Sequence, residues 1–139
     1  MNTAIITTAL SQIGTIEIKG KKHNPTILKY FKEIGKKWVQ TDETAWCSAF
    51  ANWVAKTTGY PFSGKLTARS WLKIGQKITT PELGDVVVFW RESPESWKGH
   101  VGFFIRETPT HIYVLGGNQN NSVKISAYPK KRLLQYRRL

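Results

Sequence analysis

The chain has one cysteine, Cys47, in the run Ala45-Trp46-Cys47-Ser48-Ala49-Phe50. A thiol attacks as its thiolate, and at neutral pH an ordinary cysteine is mostly protonated, so a catalytic one needs a base or a depressed pKa. The opening turns of a helix favour the thiolate, because unpaired backbone N–H groups and the helix dipole converge there. Downstream stand Gly99-His100-Val101-Gly102-Phe103 and Gly116-Gly117-Asn118-Gln119. In that order the three segments supply a nucleophile, an imidazole base and an amide that orients the base. Asn118 is the expected orienting residue and Gln119 the alternative, while Asn120 and Asn121 are expected to make a turn.

The elements that must position these groups are legible in outline. A first helix is expected from about residue 3 to 13, stopping at Gly14, and Asn24-Pro25 is a start signal for a second that ends before Gly35. The cysteine helix follows, with Trp46, Phe50, Trp53 and Val54 on one apolar face and an end near Gly59-Tyr60-Pro61. With Thr44 as N-cap, Cys47 falls in the first turn; with Asp42 it falls in the second. A short fourth helix is expected from Thr67 to Gly75. After Pro81 the pattern changes to short β-branched and aromatic runs at 85–90, 100–105, 111–115, 123–127 and 133–137. The loop Glu107-Thr108-Pro109-Thr110 makes the strands of His100 and His111 antiparallel neighbours, which brings 116–119 back toward His100. Helices first and strands after predict an α+β domain with an antiparallel sheet, occupying residues 1–139 as one unit.

Composition narrows the function classes. Twenty-one Lys and Arg against nine Asp and Glu give a net charge of +12, a field that attracts polyanions such as anionic envelope polymers. The basic residues lie in short clusters, Lys19 to Lys22, Lys36-Lys37, Lys130-Lys131-Arg132 and Arg137-Arg138, with no zinc-finger spacing, RNP-like motif or phosphate loop, so no specific nucleic acid is indicated. One cysteine excludes an internal disulfide, and the spacing of His23, His100 and His111 does not suit a metal, so neither metal nor cofactor is expected. The longest apolar run is about half of the roughly 20 residues a membrane helix needs. No transmembrane segment is expected, and the first residues lack the basic region of a secretory signal. The expectation is synthesis in the cytoplasm, with export by another system, and a monomer.

Ala45-Trp46-Cys47-Ser48-Ala49-Phe50, Pro81-Glu82-Leu83-Gly84-Asp85-Val86-Val87-Val88-Phe89, Gly99-His100-Val101-Gly102-Phe103 and Gly116-Gly117-Asn118-Gln119, in that order, resemble the CHAP amidohydrolase/peptidase family and its NlpC-like relatives. The segment from Tyr128-Pro129 to Arg137 is similar to a subgroup of that superfamily, so the resemblance covers most of the chain. It implies a papain-like fold and a peptidoglycan hydrolase, either an N-acetylmuramoyl-L-alanine amidase or a peptide-stem endopeptidase, of phage or bacterial origin. Cys47 is then the nucleophile, His100 the base and later the acid, and Asn118 the orienting residue. Many members carry a glutamate two positions before such an asparagine, where this chain has Gly116. The backbone N–H of Cys47 is the implied oxyanion donor, with Gln40 and Thr41 as side-chain candidates. Trp46, Gln119, Arg69 and Ser70 are candidate substrate contacts: Trp46 as a cleft wall or as core, Arg69 and Ser70 for a stem carboxylate. An interbacterial effector of this kind would have an immunity protein as partner. The competing class is a non-catalytic basic module that binds envelope polymers or nucleic acid by charge.

Overall fold

The structure, a computed structural model, describes residues 1–18, 23–36, 38 and 46–139. The candidate caps Asp42 and Thr44, the oxyanion candidates Gln40 and Thr41 and the cluster Lys19 to Lys22 lie outside the described residues. Three helices precede the sheet: α1 (Thr3–Leu10), α2 (Pro25–Glu33) and α3 (Cys47–Thr58). Asn2 caps α1, its side chain accepting from the Ile5 N–H, and the helix ends at Leu10, three residues short of the expected end. Asn24 caps α2 in the same way through Thr26, with Pro25 in the first turn. The expected fourth helix is a 3-10 turn over Ala68–Lys73.

Six strands follow: β1 (Gln76–Ile78), β2 (Val86–Trp90), β3 (Gly99–Glu107), β4 (His111–Gln119), β5 (Ser122–Pro129) and β6 (Leu133–Arg138). They form one sheet in the order β1-β6-β2-β3-β4-β5, every described pairing antiparallel. The domain is therefore α+β, helices first and sheet after, as the patterning predicts. The three-residue β1 has no sequence signal of its own: two of its residues are polar, and only pairing with β6 makes it a strand. At the β4–β5 turn, Asn120 and Asn121 both take positive φ, 53° and 61°, the backbone a two-residue hairpin demands and asparagine tolerates.

The helices cover one face of the sheet. Residues 47–55 of α3 are buried on every side, because α1 and α2 pack on one flank and β3 and β4 on the other. The amphipathic helix of the sequence pattern is thus a central one, and only its last turn meets solvent. Val86, Val88, Val101, Phe103 and Leu115 face it from the sheet. The opposite face carries Val87, Phe89, Phe104, Ile112 and Val114, which are also buried although no described helix covers them. Curling of the sheet explains this. The Phe89 and Tyr128 ring centroids are 4.9 Å apart, whereas β2 and β5, three strand spacings apart, would be separated by roughly 14 Å in a flat sheet. The concave face so formed carries His100.

A buried carboxylate locks the base of this arrangement. Asp85 is 4% exposed and accepts from the Glu82 N–H at 2.7 Å and from Arg138 Nε and Nη2 at 3.0 and 2.8 Å. Asp85 therefore closes the turn before β2 and also clamps the end of β6 to that turn, through a two-pronged ion pair.

Candidate active site

Cys47 is the first residue of α3, so its own N–H and that of Ser48 have no intrahelical acceptor and face the chemistry. Burial pushes the thiol pKa up, against the backbone N–H groups of Val101, Ser48 and Cys47 and the nearby charge of Arg91, which all favour the thiolate. The Val101 contact fixes the site. Val101 follows His100 in β3, so its N–H brings the thiol to the peptide that joins the two residues. That amide is available because β4 pairs with β3 only from Phe103↔Leu115 outward, and beyond Gly116 a bulge carries β4 out of register.

The bulge decides which amide meets the histidine. Asn118 sits in it with φ +54°, and one extra residue in a strand reverses the side that each following side chain faces. Gln119, 2% exposed, then points inward, and its Oε1 lies 2.9 Å from His100 Nε2. Asn118, expected as the orienting residue, instead lines the mouth of a neighbouring cavity. Strict alternation from His111 gives no means of placing the bulge, which is why the sequence ranked these two residues in the other order.

Gln119 is itself held. Its Nε2 donates to the carbonyls of Lys124, at 2.5 Å, and Val114, at 3.4 Å. With the amide nitrogen committed to two acceptors, Oε1 must be the atom that faces His100, so Nε2 of the imidazole carries the proton and Nδ1 has the lone pair. Both preceding glycines are required. A Cβ at Gly116 would lie 2.9 Å from Gln119 Oε1, and one at Gly117 would lie 2.7 Å from Phe50 Cβ and 2.8 Å from the Trp46 ring. A side chain at 116 and the Gln119–His100 bond compete for one space, which accounts for the glycine at this position.

Aromatic rings wall the histidine. Tyr128 stacks on it at 4.8 Å between centroids and 25° between planes, and Phe89 lies at 6.5 Å. Neither was a candidate in the sequence, because they come from β2 and β5 and meet only through the curl of the sheet. Burial lowers the His100 pKa from 6.5 to about 4, opposed by the Gln119 hydrogen bond and aided by Arg91. The imidazole is accordingly neutral at pH 7.

This shift has a consequence for stability. Between pH 6.5 and 4 the unfolded chain binds a proton at His100 that the folded chain refuses, so stability rises with pH across that window and is lost on acidification. The shift corresponds to about 3 kcal/mol when complete. Melting followed by circular dichroism from pH 7 to 4 is expected to show a steeper loss in the wild type than in His100→Gln. Equal slopes would contradict a buried, neutral imidazole.

Three expected substrate contacts are structural. Trp46 is fully buried, its Nε1 donating to Glu17 Oε1 at 2.7 Å, so it is core and not a cleft wall. Arg69 donates from Nε, Nη1 and Nη2 to the carbonyls of Lys98, Pro94 and Ser93, so all three of its nitrogens pin the 91–99 loop. Ser70 Oγ is engaged with Ser63 Oγ and the Thr67 carbonyl. Two other arginines, which flank the paired ends of β2 and β6, line cavities at the site. Arg91 lies between a cavity of about 280 Å³ on the His100 side and one of about 140 Å³ on the Cys47 side, and Arg132 lines the first of them. Among the described residues no group of three His, Cys, Asp or Glu side chains is arranged to hold a metal.

A buried helix that begins with cysteine, laid against an antiparallel sheet that carries a histidine, defines the papain-like class. The chain belongs to the CHAP domain family, whose model matches residues 39–118. Members of that family are in general hydrolases that act on peptidoglycan. Among curated proteins none matches the chain.

Proposed function

We propose that the protein is a cysteine peptidoglycan hydrolase that cuts an amide bond of the bacterial wall, with Cys47 as nucleophile, His100 as base and then acid, and Gln119 as the residue that orients His100. The observation that carries this reading is the His100 Nε2–Gln119 Oε1 bond of 2.9 Å in a strand whose next amide bears on the thiol. Gln119 holds the tautomer in which Nδ1 is unprotonated, so Nδ1 takes the thiol proton as Sγ attacks the amide carbonyl. Burial makes each ion costly alone, and the thiolate and imidazolium therefore form together, each offsetting the charge of the other. The Cys47 N–H at the head of α3 donates to the oxyanion, an interaction worth about 3 to 4 kcal/mol of barrier in enzymes of this kind. His100 then gives its proton to the leaving amine, and water hydrolyses the thioester.

The +12 charge supports attraction to an anionic envelope without a separate binding domain. Among the described residues no helix is long and apolar enough to cross a membrane. Action at the wall after release through a membrane lesion, or after injection by a secretion apparatus with an immunity protein in the producer, fits this reading. Mass spectrometry of fragments released from purified peptidoglycan tests it and assigns the bond. New amino termini within stem or cross-bridge peptides mark an endopeptidase, and glycan strands freed of intact stems mark an amidase. Absence of soluble fragments from walls of varied cross-bridge chemistry would sink the proposal.

A further inference from the structure

We propose that Arg91 and Arg132 form a carboxylate-binding subsite that selects substrates with an acidic residue beside the scissile amide. This rests on the hydrolase reading above and extends it to substrate choice. The cavity next to His100 is lined by Phe89, Trp90, Asn118 and Tyr128 in addition to these two arginines, and no acidic side chain lines it. Its volume of about 280 Å³ suits one residue of a peptide.

The two guanidiniums differ from those of Arg69, Arg137 and Arg138. Arg69 is spent on three carbonyls, Arg137 on the carbonyls of Ile74 and Gly75, and Arg138 on Asp85 and Glu82. Arg91 has no side-chain hydrogen bond or ion pair among the described residues. Arg132 is half-buried, lies 5.5 Å from the Trp90 ring, and its Nε is shut off from solvent with no acceptor. A shielded N–H left without a partner costs free energy that an incoming acceptor recovers. Arginine is the residue suited to this, since its planar fork matches a carboxylate with two parallel hydrogen bonds. Asn121, which lines the same cavity, adds an amide group for the substrate backbone.

The location ties the subsite to the reaction. His100 lines the cavity, and Arg91 is shared with the cavity that Cys47 lines, so a carboxylate held here belongs to a residue within one or two of the bond under attack. Stem peptides carry such groups in free or amidated form, and the two differ by one charge and little in shape.

The test uses Cys47→Ala, which binds without turnover, and a pair of synthetic stem peptides identical except for a free carboxyl or a carboxamide on the acidic residue. Calorimetry is expected to show about tenfold or greater preference for the free acid, in line with a charge-assisted fork. Adding Arg132→Gln or, at an exposed position that spares the fold, Arg91→Gln should reduce that preference to within about threefold, and Arg132→Lys should restore only part of it. Equal affinities for the pair, undetectable binding of both, or a preference untouched by either glutamine variant would each overturn the proposal. Displacement by inorganic phosphate at concentrations where the free-acid peptide does not bind would overturn it in favour of a phosphate polymer. Cleavage that survives Cys47→Ala would refute the hydrolase mechanism and leaves this binding measurement unaffected, so the two failures are separable.

Discussion

Solubilisation of purified peptidoglycan by Cys47→Ala is expected to fall to background, at least about 10⁴-fold below wild type, with His100→Ala equally impaired and the double variant no worse. The physical basis is that nucleophile and base act as one unit: without the imidazole the buried thiol keeps its proton, and without the thiol no acyl intermediate forms. Burial raises the Cys47 pKa, so the thiolate cannot be supplied by solvent at neutral pH, and the whole burden falls on His100. Both residues are nearly inaccessible, at 7% and 6% exposure; alanine at Cys47 leaves a small void, whereas alanine at His100 removes a stacked ring and leaves Gln119 Oε1 without its partner. Circular dichroism and melting of the variants must therefore be measured beside the digestion assay. A folded Cys47→Ala protein that still releases muropeptides would exclude covalent catalysis by this residue. Conversely, iodoacetamide should modify Cys47 in the wild type and react more slowly in His100→Ala, because the base that draws off the proton has gone.

The second large effect separates Gln119 from its neighbour. Gln119→Leu keeps the volume and removes both the acceptor for His100 Nε2 and the donor to the Lys124 and Val114 carbonyls. Its kcat is expected to drop by about 10² to 10⁴, the range found when a histidine base loses its orienting partner. Gln119→Glu tests the electrostatics separately. A carboxylate there accepts the same bond and stabilises imidazolium, so it should raise the His100 pKa and move the acid limb of the kcat/KM profile upward. Asn118→Ala should leave kcat within a few-fold of wild type, because Asn118 sits in the bulge and does not touch the imidazole. An Asn118→Ala variant as dead as Gln119→Leu would mean that the β4 register differs in the working enzyme. A purely structural role for Gln119 predicts a lower melting temperature in Gln119→Leu with no shift of the pH profile in Gln119→Glu.

The legibility of the site followed the range of the interactions that build it. Asn24-Pro25 specified a helix start because an asparagine cap and a proline are local devices, and the structure has both in place. The five longer strands were visible as β-branched and aromatic runs. Cys47 at a helix start and His100 on a strand were legible for the same reason: residue type and nearest neighbours suffice. Trp46, left between cleft wall and core, and Arg69 and Ser70, expected at a stem carboxylate, are engaged instead by Glu17, the 91–99 loop and the Ser63 hydroxyl, partners 7 to 29 residues away along the chain that local pattern does not show. Tyr128 and Arg132 went unseen, since nothing near them in sequence announces that a curled sheet returns them to His100.

The sequence by itself determined the α+β order of elements, the cysteine at a helix start and the histidine on a strand, the turn at Asn120-Asn121 and a strongly basic composition. Those properties reside in composition, periodicity and short-range backbone preference. Tertiary structure decided which amide meets the imidazole, which arginines line the cavity beside it and which aromatic rings enclose the site. A single bulge at Asn118 reverses the side to which Gln119 points, and period-two alternation carries no information about where such a residue is inserted. Gly116 and Gly117 could be read as turn residues or as spacers; only the approach of Phe50, Trp46 and the Gln119 oxygen shows them to be the vacancies into which the site is packed.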